Sequence, residues 1–89
     1  MSETAVITGA SSGIGKALAE QLARAGYKVV IAARSADKLS CITEDIQSQG
    51  GCCLPVQTDV SILEDIQNLT EKASQFGTIS ILINNAGIG

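Results

Sequence analysis

The chain has 89 residues, enough for at most one small domain. Apolar residues make up 45% and the mean hydropathy is +0.27, which excludes a disordered composition, while aromatics at 2% leave the core to Ile, Val, Leu and Ala. The net charge of −3 comes without any Lys/Arg run, which argues against nucleic acid or an anionic membrane as a partner; the absence of histidine excludes imidazole triads and His metal sites.

The first three residues, Met1-Ser2-Glu3, lack the basic region and apolar stretch of a secretory signal. No apolar run approaches the ~20 residues of a membrane span, so no membrane association is expected. Thr4 to Thr8 reads as a first strand, short and nearly all apolar, as strands buried on both faces are. Thr8-Gly9-Ala10-Ser11-Ser12-Gly13-Ile14-Gly15 follows as a glycine loop. A helix then runs from about Gly13 to Ala25, with Ile14, Leu18, Leu22 and Ala25 as its expected apolar face and Gly26 as its stop.

Lys28 to Ala33 is the second strand. Ser35 is placed to cap a second helix reaching about Gln49, with Leu39, Ile42 and Ile46 as its buried stripe and Gly50-Gly51 as its end. Cys52 to Thr58 is the third strand, and Pro55 within it demotes it to a sheet edge. Ser61-Ile62-Leu63-Glu64 has the Ser-x-x-Glu form of a capping box and opens a third helix, whose face is Ile62, Ile66, Leu69, Ala73 and Phe76. Gly77 stops it, Ile79 to Ile83 is a fourth strand, and Asn84-Asn85-Ala86-Gly87-Ile88-Gly89 completes the sequence.

The alternation βαβαβαβ implies an α/β fold of Rossmann type: a four-stranded parallel sheet with helices on both faces. The order 3-2-1-4 puts the proline-bearing third strand at an edge.

Cys41, Cys52 and Cys53 form neither a structural staple nor a C-x-x-C pair, so they are expected to be free and buried. Free thiols without a signal peptide fit a reducing cytoplasm.

A strand, a glycine loop and a helix in succession aim the helix's N-terminal N–H groups and positive dipole end at the loop, where a phosphate or pyrophosphate fits. The loop is not a triphosphate loop: Gly15-Lys16 would need Gly at Ala10 and a hydroxyl at Ala17. Nor is it strict G-x-G-x-x-G, because the third glycine position is Leu18. An acid at the end of the second strand would hold the ribose hydroxyl of NAD. Ala33 and Arg34 stand there instead, and a guanidinium binds a 2′-phosphate, so NADP is expected and NAD is the lesser alternative.

Thr-Gly-x-x-x-Gly-x-Gly resembles the cofactor loop of the short-chain dehydrogenase/reductase family, and the resemblance runs from Thr4 to Gly89. It implies cofactor contacts from Gly9, Ser11, Ser12, Gly13, Ile14, Gly15 and Arg34, adenine contacts from Asp59 and Val60, and an adenine-ribose wall from Asn85, Ala86 and Gly87. Ser80 departs from it, standing where members often have Asp. The resemblance also implies that residues 1–89 are a partial, truncated dinucleotide-binding domain, with hydride transfer between NADP(H) and a carbonyl or alcohol in a complete enzyme. The family's catalytic Ser and Tyr-x-x-x-Lys follow the Asn-Asn-Ala-Gly segment by tens of residues. The only tyrosine here is Tyr27, followed four residues on by Ile31, so no catalytic residue is nominated. The alternative is a non-catalytic nucleotide-binding or sheet-completing interaction module. In either case the open edge of the fourth strand is expected to favour self-association.

Overall fold

The computed structural model describes residues 3–10 and 13–84. Its elements run β1 (Glu3–Thr8), α1 (Gly13–Arg24), β2 (Lys28–Ala33), α2 (Ala36–Ser48), β3 (Cys53–Gln57), α3 (Leu63–Phe76) and β4 (Thr78–Asn84). All four strands are parallel, in the order β3-β2-β1-β4. The expected order is the one found, with Pro55 on the outer strand opposite Ile31.

The sheet separates two apolar layers. On one face Ile7, Val29, Ile31, Ala33 and Cys53 pack with Ala19 of α1 and with Leu39, Ile42 and Ile46 of α2. On the other, Val6, Val30, Ala32 and Val56 pack with Leu69 and Ala73 of α3. β1 and β2 are therefore covered on both sides, which is why their sequences are apolar runs rather than alternations.

The α2 stripe of Leu39, Ile42 and Ile46 is buried as expected. Ser35 caps that helix, its hydroxyl accepting from the Lys38 amide at 3.4 Å. The face of α1 matches the expected one only in part: Leu18 and Leu22 pack against the core, whereas Ile14 and Ala25 are exposed. Gly15 and Ala19 are its buried residues, Leu18, Leu22 and Ala23 are partly buried, and Ile14 is 61% exposed. In α3, Leu69 and Ala73 are buried, while Ile62 and Ile66 are exposed.

The capping box does not form. Ile62 holds the N-cap position of α3 with no side-chain bond, and the Ser61 hydroxyl donates instead to Asp59 Oδ1 at 2.6 Å. Asp59 also accepts from the Ser61 amide at 3.0 Å, so a local turn around the carboxylate has taken the hydroxyl the helix would have used. The cysteines differ as well. All three are free, but only Cys53 is buried; Cys41 and Cys52 are exposed. Burial pushes the Cys53 thiol above its ordinary range, a bond with Thr43 partly opposing the effect.

β4 carries an irregularity. Thr4 pairs with Ile79, but the next residue, Ala5, pairs with Ile81, leaving Ser80 as an extra residue in the strand. A bulge of this kind breaks the alternation of faces. Ile79 and Leu82 are three residues apart, yet both line the groove between β4 and α3.

Candidate cofactor site at the carboxyl ends of the strands

Parallel topology brings the carboxyl ends of all four strands to one rim, and the winding reverses between β1 and β4. Backbone bonds tie the rim together. The Ala10 amide donates to Ala32 O at 3.1 Å, which draws the loop after β1 against β2. The Thr58 amide donates to Ala33 O at 2.8 Å, which holds the segment after β3 against the same strand. Across the reversal, the Thr8 hydroxyl donates to Asn84 Oδ1 at 2.9 Å.

The glycine loop has the freedom its turn demands. Gly9 adopts φ +66°, in the left-handed region that favours glycine. Gly13 opens α1, and among the described residues a Cβ added there would meet no atom within 4 Å. Packing among the described residues therefore does not require glycine at residue 13, whereas a ligand seated against the start of the helix would. The positive end of the α1 dipole lies at this point.

Arg34 follows β2 on the exposed rim. Gln57, at the end of β3, donates through Nε2 to the Arg34 carbonyl at 3.0 Å and so fixes the backbone that carries the guanidinium. Arg34, Gln57, Asp59 and Asp65 surround an open pocket of about 330 Å³. Asp65 Oδ2 accepts from the Asp59 amide at 2.9 Å. The two Ser61 donors hold the Asp59 carboxyl below its ordinary value, and the Arg34 guanidinium adds a smaller pull in the same direction. Val60, 44% exposed, stands next to Asp59 and also lines the larger groove of about 530 Å³ between α3 and β4.

Of the expected cofactor residues, Gly9, Gly13, Ile14, Gly15, Arg34, Asp59 and Val60 all follow β1, β2 or β3 at this rim. Ser11, Ser12, Asn85, Ala86 and Gly87 lie outside the described residues. The structure adds Thr8, Gln57, Asp65 and Asn84, each holding another rim segment in place. Thr8 and Asn84 belong to the quoted motifs, but nothing in the spacing of Gln57 or Asp65 marks them. Among the described residues no group of His, Cys, Asp and Glu could hold a metal ion, and no helix is long and apolar enough to cross a membrane.

The family model described as short chain dehydrogenase matches residues 3–89. The chain belongs to this family. A 3-oxoacyl-(acyl-carrier-protein) reductase of Staphylococcus epidermidis is 40% identical over 90 residues, a stretch that covers 99% of this chain and 37% of the relative. The human dehydrogenase/reductase SDR family member 1 is 40% identical over 89 residues, covering 98% of this chain and 28% of the relative. The chain thus spans about a third of the length of these dehydrogenases. Among solved structures, an actinorhodin polyketide ketoreductase with NADPH superposes with a TM-score of 0.91 at 32% identity, over 97% of this chain and 33% of that one. A metagenomic short-chain oxidoreductase in complex with NADP gives 0.89 at 38% identity, over 98% of this chain and 40% of that one.

Proposed function

We propose that the chain is the NADP-binding amino-terminal portion of a short-chain dehydrogenase/reductase, its 89 residues forming part of a dinucleotide-binding domain. The carrying observation is Arg34, an exposed cation on the rim directly after β2, with its backbone held by Gln57 and Ala33 filling the place of the acid an NAD site uses. The space in front of Gly13 and the left-handed turn at Gly9 fit a pyrophosphate close to the start of α1. The neighbours solved with NADPH and NADP support the same reading. When bound, the nicotinamide supplies the hydride for a carbonyl or alcohol. The residues of this chain bind and orient it: Gly9, Ser11, Ser12, Gly13, Ile14 and Gly15 at the phosphates, Arg34 at the 2′-phosphate, Asp59 and Val60 at the adenine, and Asn85, Ala86 and Gly87 on the opposite wall.

Acid catalysis needs residues beyond this set. Tyr27 lies between α1 and β2, at the amino ends of the strands and so across the sheet from the rim. The free thiols support a reducing compartment, and the cytoplasm is proposed on that ground.

The test is a fluorescence or calorimetric titration of the 89-residue chain with NADPH and NADH. NADPH binds more tightly, and Arg34→Ala weakens NADPH by about tenfold to a hundredfold, as loss of a charge-assisted hydrogen bond does, while NADH changes little. Equal affinities in the parent chain, or an equal loss for both cofactors in the variant, would remove the basis for NADP.

A further inference from the structure

Arg34 stands between two peptide groups, and the end of β3 holds both. In the peptide before it, the Ala33 carbonyl accepts from the Thr58 amide at 2.8 Å. In the peptide after it, its own carbonyl accepts from Gln57 Nε2 at 3.0 Å. The first bond joins two backbones and survives any side-chain change short of proline. The second depends on one side chain. Gln57 lies opposite Ala33 in the β2–β3 register, exposed on the outer strand, so burial sets no demand for glutamine there. The next carbonyl, that of the N-cap Ser35, is already taken by the Leu39 amide at 3.2 Å. Gln57 therefore closes the step between strand and helix on which Arg34 is mounted.

Asp59 and Asp65 share the open pocket with Arg34 and Gln57. The guanidinium acts on the Asp59 carboxyl, yet among the described residues it forms an ion pair with neither acid. A long side chain on a loose backbone would be free to turn onto these carboxylates, and an arginine paired with them is withheld from a phosphate. We propose that Gln57 is a positioning residue that sets cofactor selectivity: its bond to the Arg34 carbonyl aims the guanidinium past Asp59 and Asp65 to the place of the 2′-phosphate. This rests on the reading of Arg34 as the 2′-phosphate ligand. Fixing the root of a flexible side chain lowers the ordering cost of the contact it makes. That contact is the one NADPH makes and NADH does not. The pyrophosphate at Gly13 and the adenine at Asp59 and Val60 are common to both cofactors, so Gln57 acts on one cofactor and not on the other.

Titrations of the 89-residue chain with NADPH and NADH test this on the parent, Gln57→Met, Arg34→Ala and the double variant. Methionine keeps the unbranched stem of glutamine and removes the donor. Gln57→Met is expected to weaken NADPH by roughly three- to tenfold, the range of one neutral hydrogen bond, and NADH by less than about twofold. In the Arg34→Ala background the same substitution changes NADPH by less than about twofold, because no guanidinium is left to aim. Binding of 2′,5′-ADP, which carries the phosphate without a nicotinamide, weakens in step with NADPH. Retained NADH binding shows in the same experiment that the variant is folded. Equal losses for both cofactors give Gln57 a structural role only and overturn the proposal. So does a loss of NADPH affinity that persists without Arg34, or a preference that Arg34→Ala removes and Gln57→Met leaves intact. A parent chain with no preference, or one that Arg34→Ala does not alter, strikes the NADP reading itself, and the proposal falls with it.

Discussion

Two glycines separate the roles a residue without a side chain can have. A Cβ at Gly51 would lie 2.8 Å from Ile46 Cγ2, 3.2 Å from Ile46 O and 3.3 Å from Ala23 Cβ, so this glycine lets the turn after α2 pass close to its neighbours. Gly51→Ala is expected to cost about 1–3 kcal/mol by overpacking, read as a lower melting temperature, with NADPH affinity per folded molecule unchanged. Gly13→Ala is expected to have the opposite profile: among the described residues no neighbour is within 4 Å, so stability is kept while NADPH affinity falls. A second prediction concerns Asp59, whose folded-state pKa lies below the ordinary 3.8 because Ser61 donates to the carboxylate. Its contribution to stability is present above that value and is lost as pH falls through the lower folded value. Thermal melts between about pH 2 and 5 should show Asp59→Asn with a flatter acid limb than the parent chain. The motif spacing pointed to Gly13 and Arg34, because glycine and arginine at the ends of strands have few other uses together. Gln57 and Asp65 could not be read that way, since their roles depend on contacts between segments far apart in sequence.

At the scale of elements, the sequence was most readable where period and burial agree. α2 shows its stripe plainly because bulky residues at helical spacing meet the sheet. α1 was readable in part: Leu18 and Leu22 pack against the core as their spacing suggests, but its fully buried residues are Gly15 and Ala19, which a search for large apolar residues passes over, and Ile14 is left exposed. The capping box failed for a different reason. The Ser61 hydroxyl could have accepted from an N–H at the start of α3, but it donates to the Asp59 carboxylate, which holds it in the preceding turn. The C-terminal end of α3 has an anchor that no pattern showed. Lys28 Nζ donates to the Phe76 carbonyl at 3.0 Å and stands 5.3 Å from the centre of its ring. A cation there answers the negative end of the helix dipole and the face of the aromatic ring together. Lys28→Met keeps most of the stem and removes the charge. The expected loss is about 1 kcal/mol, read from chemical denaturation, and Lys28→Arg should recover part of it.

Across the whole molecule, the two faces of the sheet are unequally covered. Two helices shield one side, and α3 alone lies on the other, against strands that continue past it to β4. The order of strands was legible because Pro55 selected one edge, and alternating elements left few other arrangements. The groove was not legible, because it depends on the extra residue at Ser80. In a regular strand Ile79 and Leu82 would point to opposite sides; the bulge brings them to the same one. This makes β4 sensitive to length as well as to composition. Exchanging Ser80 for another small residue leaves the count unchanged, whereas deleting it would turn Ile79 toward α1 and shorten the path from α3 by one residue. The spacing between Gly77 and Asn84 therefore carries structural information that no single side chain in it contains.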